Sequence, residues 1–186
     1  MDTEKIAVWV RQMQAGDETA FDALFAAYKR QAVCTAALIT GDASLAEDVA
    51  QEAFVNCFLY IGKLQDAARF QPWFFRILTR CAWKAAKRKA QIVSIQQEDG
   101  GGQILPPIFD SYPSEREVLY ENLYRALDGL GQKQRTAVVL YYFNDFSIRE
   151  IAEATDSLEA TVKTRLFAAK RRLRTVLEQD MGGEDA

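Results

Sequence analysis

Apolar residues in this chain recur three and four positions apart over long stretches and almost nowhere alternate with polar ones. Ala, Leu, Glu, Lys, Arg and Gln dominate, so the pattern predicts an all-α protein. Phe21, Leu24, Phe25 and Tyr28 make one stripe, introduced by Gly16-Asp17, and the chain breaks at Thr40-Gly41-Asp42. Ser44-Leu45-Ala46-Glu47 then has the spacing of a capping box, in which Ser and Glu satisfy the orphan amide donors of a helix start. The helix it opens is expected to run to about Ile61, with Val49, Ala53, Phe54, Cys57 and Phe58 on its inner face. Pro72 suits the first turn of a further helix, Trp73 to about Ala90, where its missing N–H is not needed.

From Gln91 to Pro113 the periodicity dissolves among Gly100-Gly101-Gly102, Pro106-Pro107 and Pro113. This stretch reads as a flexible interdomain linker. Ser114-Glu115-Arg116-Glu117 is a second capping box, after which helices resume to about Leu177. The expected architecture is two small helical domains, residues 1–90 and 114–178, joined by the linker 91–113 and followed by a frayed tail, 179–186.

Within the second domain, Ser147-Ile148-Arg149-Glu150 is a third capping box and opens a short helix with Ile148, Ile151 and Ala152 inside. Ala152 is small where a second helix must cross closely. Thr155-Asp156-Ser157 makes the turn, and Ser157 is a suitable N-cap for a helix from Leu158 onward. That helix turns Val162, Leu166 and Ala169 inward and Lys163, Thr164, Phe167 and Lys170 outward. Short cap, small crossing residue, turn and basic second helix together describe a helix-turn-helix, with the outward side facing a DNA major groove. Lys163 and Thr164, near the helix start, are candidates for base edges, whereas Arg165, Arg171 and Arg172 suit phosphates.

Charge adds a second candidate. The net charge of −3 argues against nucleic acid only as an average. Acids outnumber bases from Met1 to Gly62, but Lys63, Arg69, Arg76, Arg80, Lys84, Lys87, Arg88 and Lys89 face Asp66 alone between Lys63 and Lys89. Thr161 to Arg174 carries Lys163, Arg165, Lys170, Arg171, Arg172 and Arg174 with no acid. Two basic islands in an acidic chain point to two contacts with a polyanion, leaving acidic surface for another partner. With 49% hydrophobic and 26% charged residues the composition is that of a globular protein. No apolar run approaches the ~20 residues of a membrane span, and MDTEKIAVWV lacks the layout of a signal peptide, so a cytoplasmic protein without membrane insertion is expected.

Enzymatic readings find little support. The chain has no histidine, which removes Ser-His and Cys-His catalysis. Cys34, Cys57 and Cys81 lack metal-finger spacing and read as buried reduced thiols, so no cofactor or metal is expected. No Walker loop or dinucleotide fingerprint is present.

Phe146-Ser147-Ile148-Arg149-Glu150-Ile151-Ala152-Glu153, followed by Ala160-Thr161-Val162-Lys163-Thr164-Arg165-Leu166, resembles region 4 of bacterial σ70-type sigma factors of the extracytoplasmic-function (ECF) group. Leu123 to Tyr142, with Leu127, Leu130, Gln134-Arg135, Val138 and Leu140, resembles the first half of that region. Ala46-Glu47-Asp48-Val49-Ala50-Gln51-Glu52-Ala53-Phe54-Val55 is similar to the segment with which these factors grip the β′ coiled coil of RNA polymerase. Phe70-Gln71-Pro72-Trp73-Phe74-Phe75-Arg76-Ile77 is similar to region 2.3. The resemblance covers nearly the whole chain, in order. It departs at Asp156 and Ala160, where the family often has Gly, and at Thr79-Arg80, where it often has Arg-Asn. Asp tolerates a left-handed backbone, so the turn can persist.

The resemblance implies a function and its residues. Asp48, Gln51, Glu52 and Phe54 would hold core polymerase, with the β flap as a further contact. Lys63, Arg69, Arg76, Arg80, Lys84, Lys87 and Arg88 would engage the −10 element, where opened DNA needs cations and a pocket for an extruded base. Thr161, Lys163, Thr164, Arg165, Phe167, Lys170 and Arg171 would engage the −35 element. Trp73, Phe74 and Phe75 cannot share one face, and Trp73 is expected in the core. The resemblance further implies an anti-sigma factor as partner and a monomer when free. The rival reading is a helix-turn-helix regulator whose N-terminal half binds a ligand or dimerises; it predicts an apolar pocket and a symmetric dimer.

Overall fold

The computed structural model of the chain describes residues 3–95 and 126–181. Its helices are α1 (Thr3–Gln14), α2 (Glu18–Thr40), α3 (Ala46–Tyr60), α4 (Phe70–Ile95), α5 (Gln132–Phe143), α6 (Ile148–Ala154) and α7 (Glu159–Met181). Residues 126–128 are also helical, and no strand occurs among the described residues. Short 3-10 turns at Ala43–Leu45, Ile61–Lys63 and Ala67–Arg69 flank α3 and lead into α4.

Local chemistry sets the boundaries of α2. The Asp17 carboxylate accepts from the Thr19 amide at 2.9 Å and so caps its start. At its end Gly41 takes a left-handed φ of 71° and returns its N–H to the Ala37 carbonyl. A Cβ at Gly41 would also displace the Arg135 guanidinium that lies against it. The start of α3 differs from expectation. The acceptor there is Asp42, which takes the Ser44 amide at 2.8 Å and the Ser44 hydroxyl at 2.7 Å, and the helix itself has no side-chain cap. Asp42 thus takes the Ser44 amide that Glu47 was expected to accept, and engages the Ser44 hydroxyl as a donor, so no capping box forms.

α2 is the axis of the molecule, packed by α1, α3, α4 and α5. Its first half buries Leu24 and Tyr28, and its second half buries Ala32, Ala36 and Ala37, whose small side chains let α5 approach. One contiguous core extends from Ile6 to Ala169. The sequence left the placement of its two halves open; here they are docked. Phe75 meets Phe146 edge to face, with centroids 5.2 Å apart. Asn144, buried at the end of α5, accepts from Gln31 and Thr35 of α2 at 3.0 Å each and donates to the Val139 carbonyl. Trp83 Nε1 donates to Thr136 Oγ1 at 3.0 Å.

Two boundaries move. Gln91–Ile95, assigned to the linker, continue α4, and residues 179–181, assigned to the frayed tail, continue α7. The capping box at Ser114 and the glycine triplet lie outside the described residues.

Tyr28 is 1% exposed, and its hydroxyl finds no partner among the described residues; burial pushes its pKa up to about 12. An orphaned buried hydroxyl costs about 1–3 kcal/mol of desolvation. Tyr28→Phe is therefore expected to raise the denaturation midpoint by the equivalent of roughly 1 kcal/mol, measurable by urea unfolding. A fall would mean that the hydroxyl has a partner after all.

Candidate nucleic-acid interface

α6, the turn after it and α7 form a complete helix-turn-helix. Both arms of the Ser147 capping box are made: the Glu150 amide donates to Ser147 Oγ at 3.3 Å, and the Ser147 amide donates to Glu150 Oε2 at 2.8 Å. Ile151 and Ala152 are buried. The turn closes through Thr155 N to Ile151 O at 2.9 Å and Ser157 N to Ala152 O at 2.9 Å. Asp156 sits between them with φ 48°, the left-handed conformation that its side chain tolerates better than most. Ser157 donates to the Thr155 carbonyl and accepts from Arg165 at 2.8 Å, and α7 begins two residues later, at Glu159.

α7 buries Val162 and Ala169 and half-buries Leu166. Lys163, Thr164, Phe167, Lys170 and Arg171 are exposed on the other side, with Phe167 72% exposed. An aromatic ring that open on a basic helix lacks a packing role in this chain. Thr164 keeps its acceptor lone pairs outward while donating to Ala160 O at 3.0 Å. Thr161 and Arg165 are only half-exposed, and the Arg165 bond to Ser157 ties it to the turn.

The second basic surface is organised by the loop before α4. Gln14 of α1 donates to the Ile61 and Leu64 carbonyls at 2.9 and 2.8 Å, fixing that loop. Lys63, Arg69, Trp73 and Arg76 line one groove there, and its far wall is Glu153 and Asp156 of the helix-turn-helix. Arg69 pairs with Glu153, while Arg76 and Arg80 both pair with Asp156, Arg80 at 2.6 Å. The hydrogen bond from Arg69 holds the Glu153 carboxyl below the usual carboxylate range. The other three expected −10 residues lie farther along α4. Lys84 pairs with Glu52 at 2.7 Å, Lys87 lines a separate cleft with Trp83 and Lys133, and Arg88 is exposed.

The aromatic triplet resolves against expectation. Phe74 and Phe75 are fully buried, whereas Trp73 is only partly buried and lines the basic groove. Successive residues on a helix lie ~100° apart, and the face of Phe70, Phe74 and Leu78 is the one turned to the core. Trp73 is therefore left at the rim.

α3 presents a third surface. Asp48 and Gln51 are exposed, and Glu52 is half-buried against Lys84. Phe54 is not part of it: at 3% exposure its ring packs 4.7 Å from Phe25 and 4.8 Å from Phe74. The outward apolar residues are Val55, Phe58 and Leu59, at 53%, 46% and 64% exposure; Phe58 was expected inside. Helical spacing would have found them, because 48, 51, 55, 58 and 59 follow one face while 50, 53, 54 and 57 follow the buried one.

The sigma-70 region 2 family matches residues 24–92 and the sigma-70 region 4 family matches residues 120–173. The chain is 30% identical over 181 residues to the ECF RNA polymerase sigma factor SigM of Mycobacterium tuberculosis strain H37Rv, covering 95% of this chain and 84% of that protein. The chain belongs to the ECF group of σ70 sigma factors. It is also 28% identical to the ECF sigma factor SigW of Bacillus subtilis, over 90% of this chain and 94% of the relative. As an ECF sigma factor it binds core RNA polymerase and directs promoter-specific initiation; sigma factors are not enzymes. The region 2 match accounts for the N-terminal half that the regulator reading gave to a ligand or a dimer. In fold the chain is similar to the sigma factor RpoE of Bartonella quintana, solved with the anti-sigma factor NepR. The TM-score is 0.70 at 19% identity, covering 85% of this chain and 96% of that one. Among the described residues no helix is long and apolar enough to cross a membrane.

Proposed function

We propose the following division of labour within this sigma factor. α7 reads the −35 element through Lys163, Thr164 and Phe167, with Lys170 and Arg171 on phosphates. Lys63, Arg69, Trp73, Arg76 and Arg80 engage the −10 element, the groove beside Trp73 receiving an unstacked base. Lys84, Lys87 and Arg88 extend that contact along the backbone of the opened strand. The exposed row of α3 (Asp48, Gln51, Val55, Phe58 and Leu59) grips the β′ coiled coil, and the second domain meets the β flap. The single observation that carries this reading is the fully formed helix-turn-helix with an exposed Phe167 amid an uninterrupted basic face.

Each DNA contact is modest alone, and polymerase makes the two act together by holding both at a fixed spacing. The partners act in the cytoplasm, and the protein is read as a monomer working there. An anti-sigma factor would silence it by covering these same faces. The test is reconstitution with core polymerase on promoter DNA, the purified chain being expected to confer specific initiation. Asp48→Ala with Gln51→Ala is expected to weaken core binding about tenfold, since truncating exposed contact residues typically costs ~1 kcal/mol each or less. Unchanged co-purification of that double variant with core would remove α3 from the interface.

A further inference from the structure

Arg69, Arg76 and Arg80, proposed above to hold the −10 strand, are already engaged. Glu153, on the first helix of the helix-turn-helix, pairs with Arg69, and Asp156, in its turn, pairs with both Arg76 and Arg80. A carboxylate on a guanidinium fork takes the place a phosphate oxygen would take. Asp156 holds a left-handed φ of 48° in the turn, and from there its carboxylate reaches Arg76 and Arg80 of α4. The two acids also form the far wall of the groove that holds Lys63 and Trp73. The α7 row Lys163, Thr164 and Phe167 is untouched by this contact and stays exposed.

We propose that Glu153 and Asp156 form an acidic clasp that occupies the phosphate sites of Arg69, Arg76 and Arg80 in the free protein. The clasp closes the Arg69, Arg76 and Arg80 part of the −10 surface to single-stranded DNA and leaves the −35 surface open. It is built to yield: the paired side chains are 37% to 60% exposed, so water and salt screen them. A polyanion presented at high local concentration, as on polymerase, displaces two carboxylates. The clasp rests on the −10 assignment of α4, and the experiment separates the two.

The test uses the full chain and a fluorescent single-stranded oligonucleotide followed by anisotropy at low salt. The variant is Glu153→Gln with Asp156→Asn, which keeps the side-chain shapes and a residue tolerant of the left-handed turn. It is expected to bind the strand roughly tenfold more tightly than the unaltered chain, the size of three screened ion pairs released. The gain should vanish when Arg69→Gln, Arg76→Gln and Arg80→Gln are added, because a general charge effect would persist there and would overturn the clasp. Equal affinity of the acid variant and the unaltered chain would overturn it as well. The arginine triple variant is also assayed with core polymerase. If it initiates normally, the −10 assignment itself fails and the clasp with it; loss of initiation keeps the assignment and leaves the acid variant to decide.

Discussion

Phe74→Ala should lower the stability of the whole chain by about 3–5 kcal/mol, the usual cost of emptying a buried phenylalanine site. Phe74 is fully buried and lies at the meeting point of α2, α3 and α4, with ring centroids 4.8 Å from Phe54, 5.7 Å from Phe70 and 5.8 Å from Tyr28. These three rings, with Phe75 at 5.6 Å as a fourth, cannot collapse into the gap without leaving their own rotamers, so relaxation recovers little of the loss. Against a typical total of ~5–15 kcal/mol, that is enough to leave a substantial unfolded fraction at growth temperature. Thermal unfolding followed by circular dichroism measures it. The neighbouring Trp73→Ala is the informative comparison. Trp73 sits at the rim of the basic groove, so its loss should cost well under half as much stability while impairing −10 opening. Equal destabilisation by the two would mean that Trp73 is a core residue.

That comparison also shows where sequence reasoning reached and where it stopped. The helix-turn-helix was legible because every determinant is local: the Ser147–Glu150 box, small Ala152, the Asp156 turn and the alternation of faces on α7 all lie within one short segment. Trp73 was placed on the wrong face for a different reason; Phe58 was misplaced too, although helical spacing marks its outward row, and Phe54, rightly read as inner, was also given to the polymerase surface. On α4 adjacent stripes are both aromatic, and only the positions of neighbouring helices decide which stripe is buried. For Trp73 the deciding neighbour is the helix-turn-helix, whose Glu153 and Asp156 share its groove. The docking of the halves was not legible at all. Phe75 with Phe146, Asn144 with Thr35 and Asp156 with Arg76 are long-range pairs that no periodicity announces. A Gly- and Pro-rich connector suggested independence, but tether composition limits how the halves can be joined and says nothing of how well their surfaces fit.

Replacing Lys163, Thr164 and Phe167 together by Ala should reduce initiation from a −35-dependent promoter by at least about a hundredfold. A well-made base contact carries about 1–3 kcal/mol of discrimination, and the three side chains share the exposed face of α7 while Val162 and Ala169 hold the helix from the other side. Folding should therefore be spared, and co-purification with core polymerase should be unchanged, because the α3 row is remote from the substitutions. Lys163→Ala alone then discriminates its role by salt. If Lys163 contacts a phosphate, the slope of log affinity against log salt should fall by about 0.9 for duplex DNA. If it reads a base edge, affinity for the cognate site should fall while binding to unrelated DNA changes much less. Its position in the first turns of α7, beside Thr164 and ahead of the phosphate-suited Arg171, favours the base edge. Transcription retained by the triple variant would show instead that promoter choice in this sigma factor rests on the α4 groove alone, with α7 an accessory grip on the backbone.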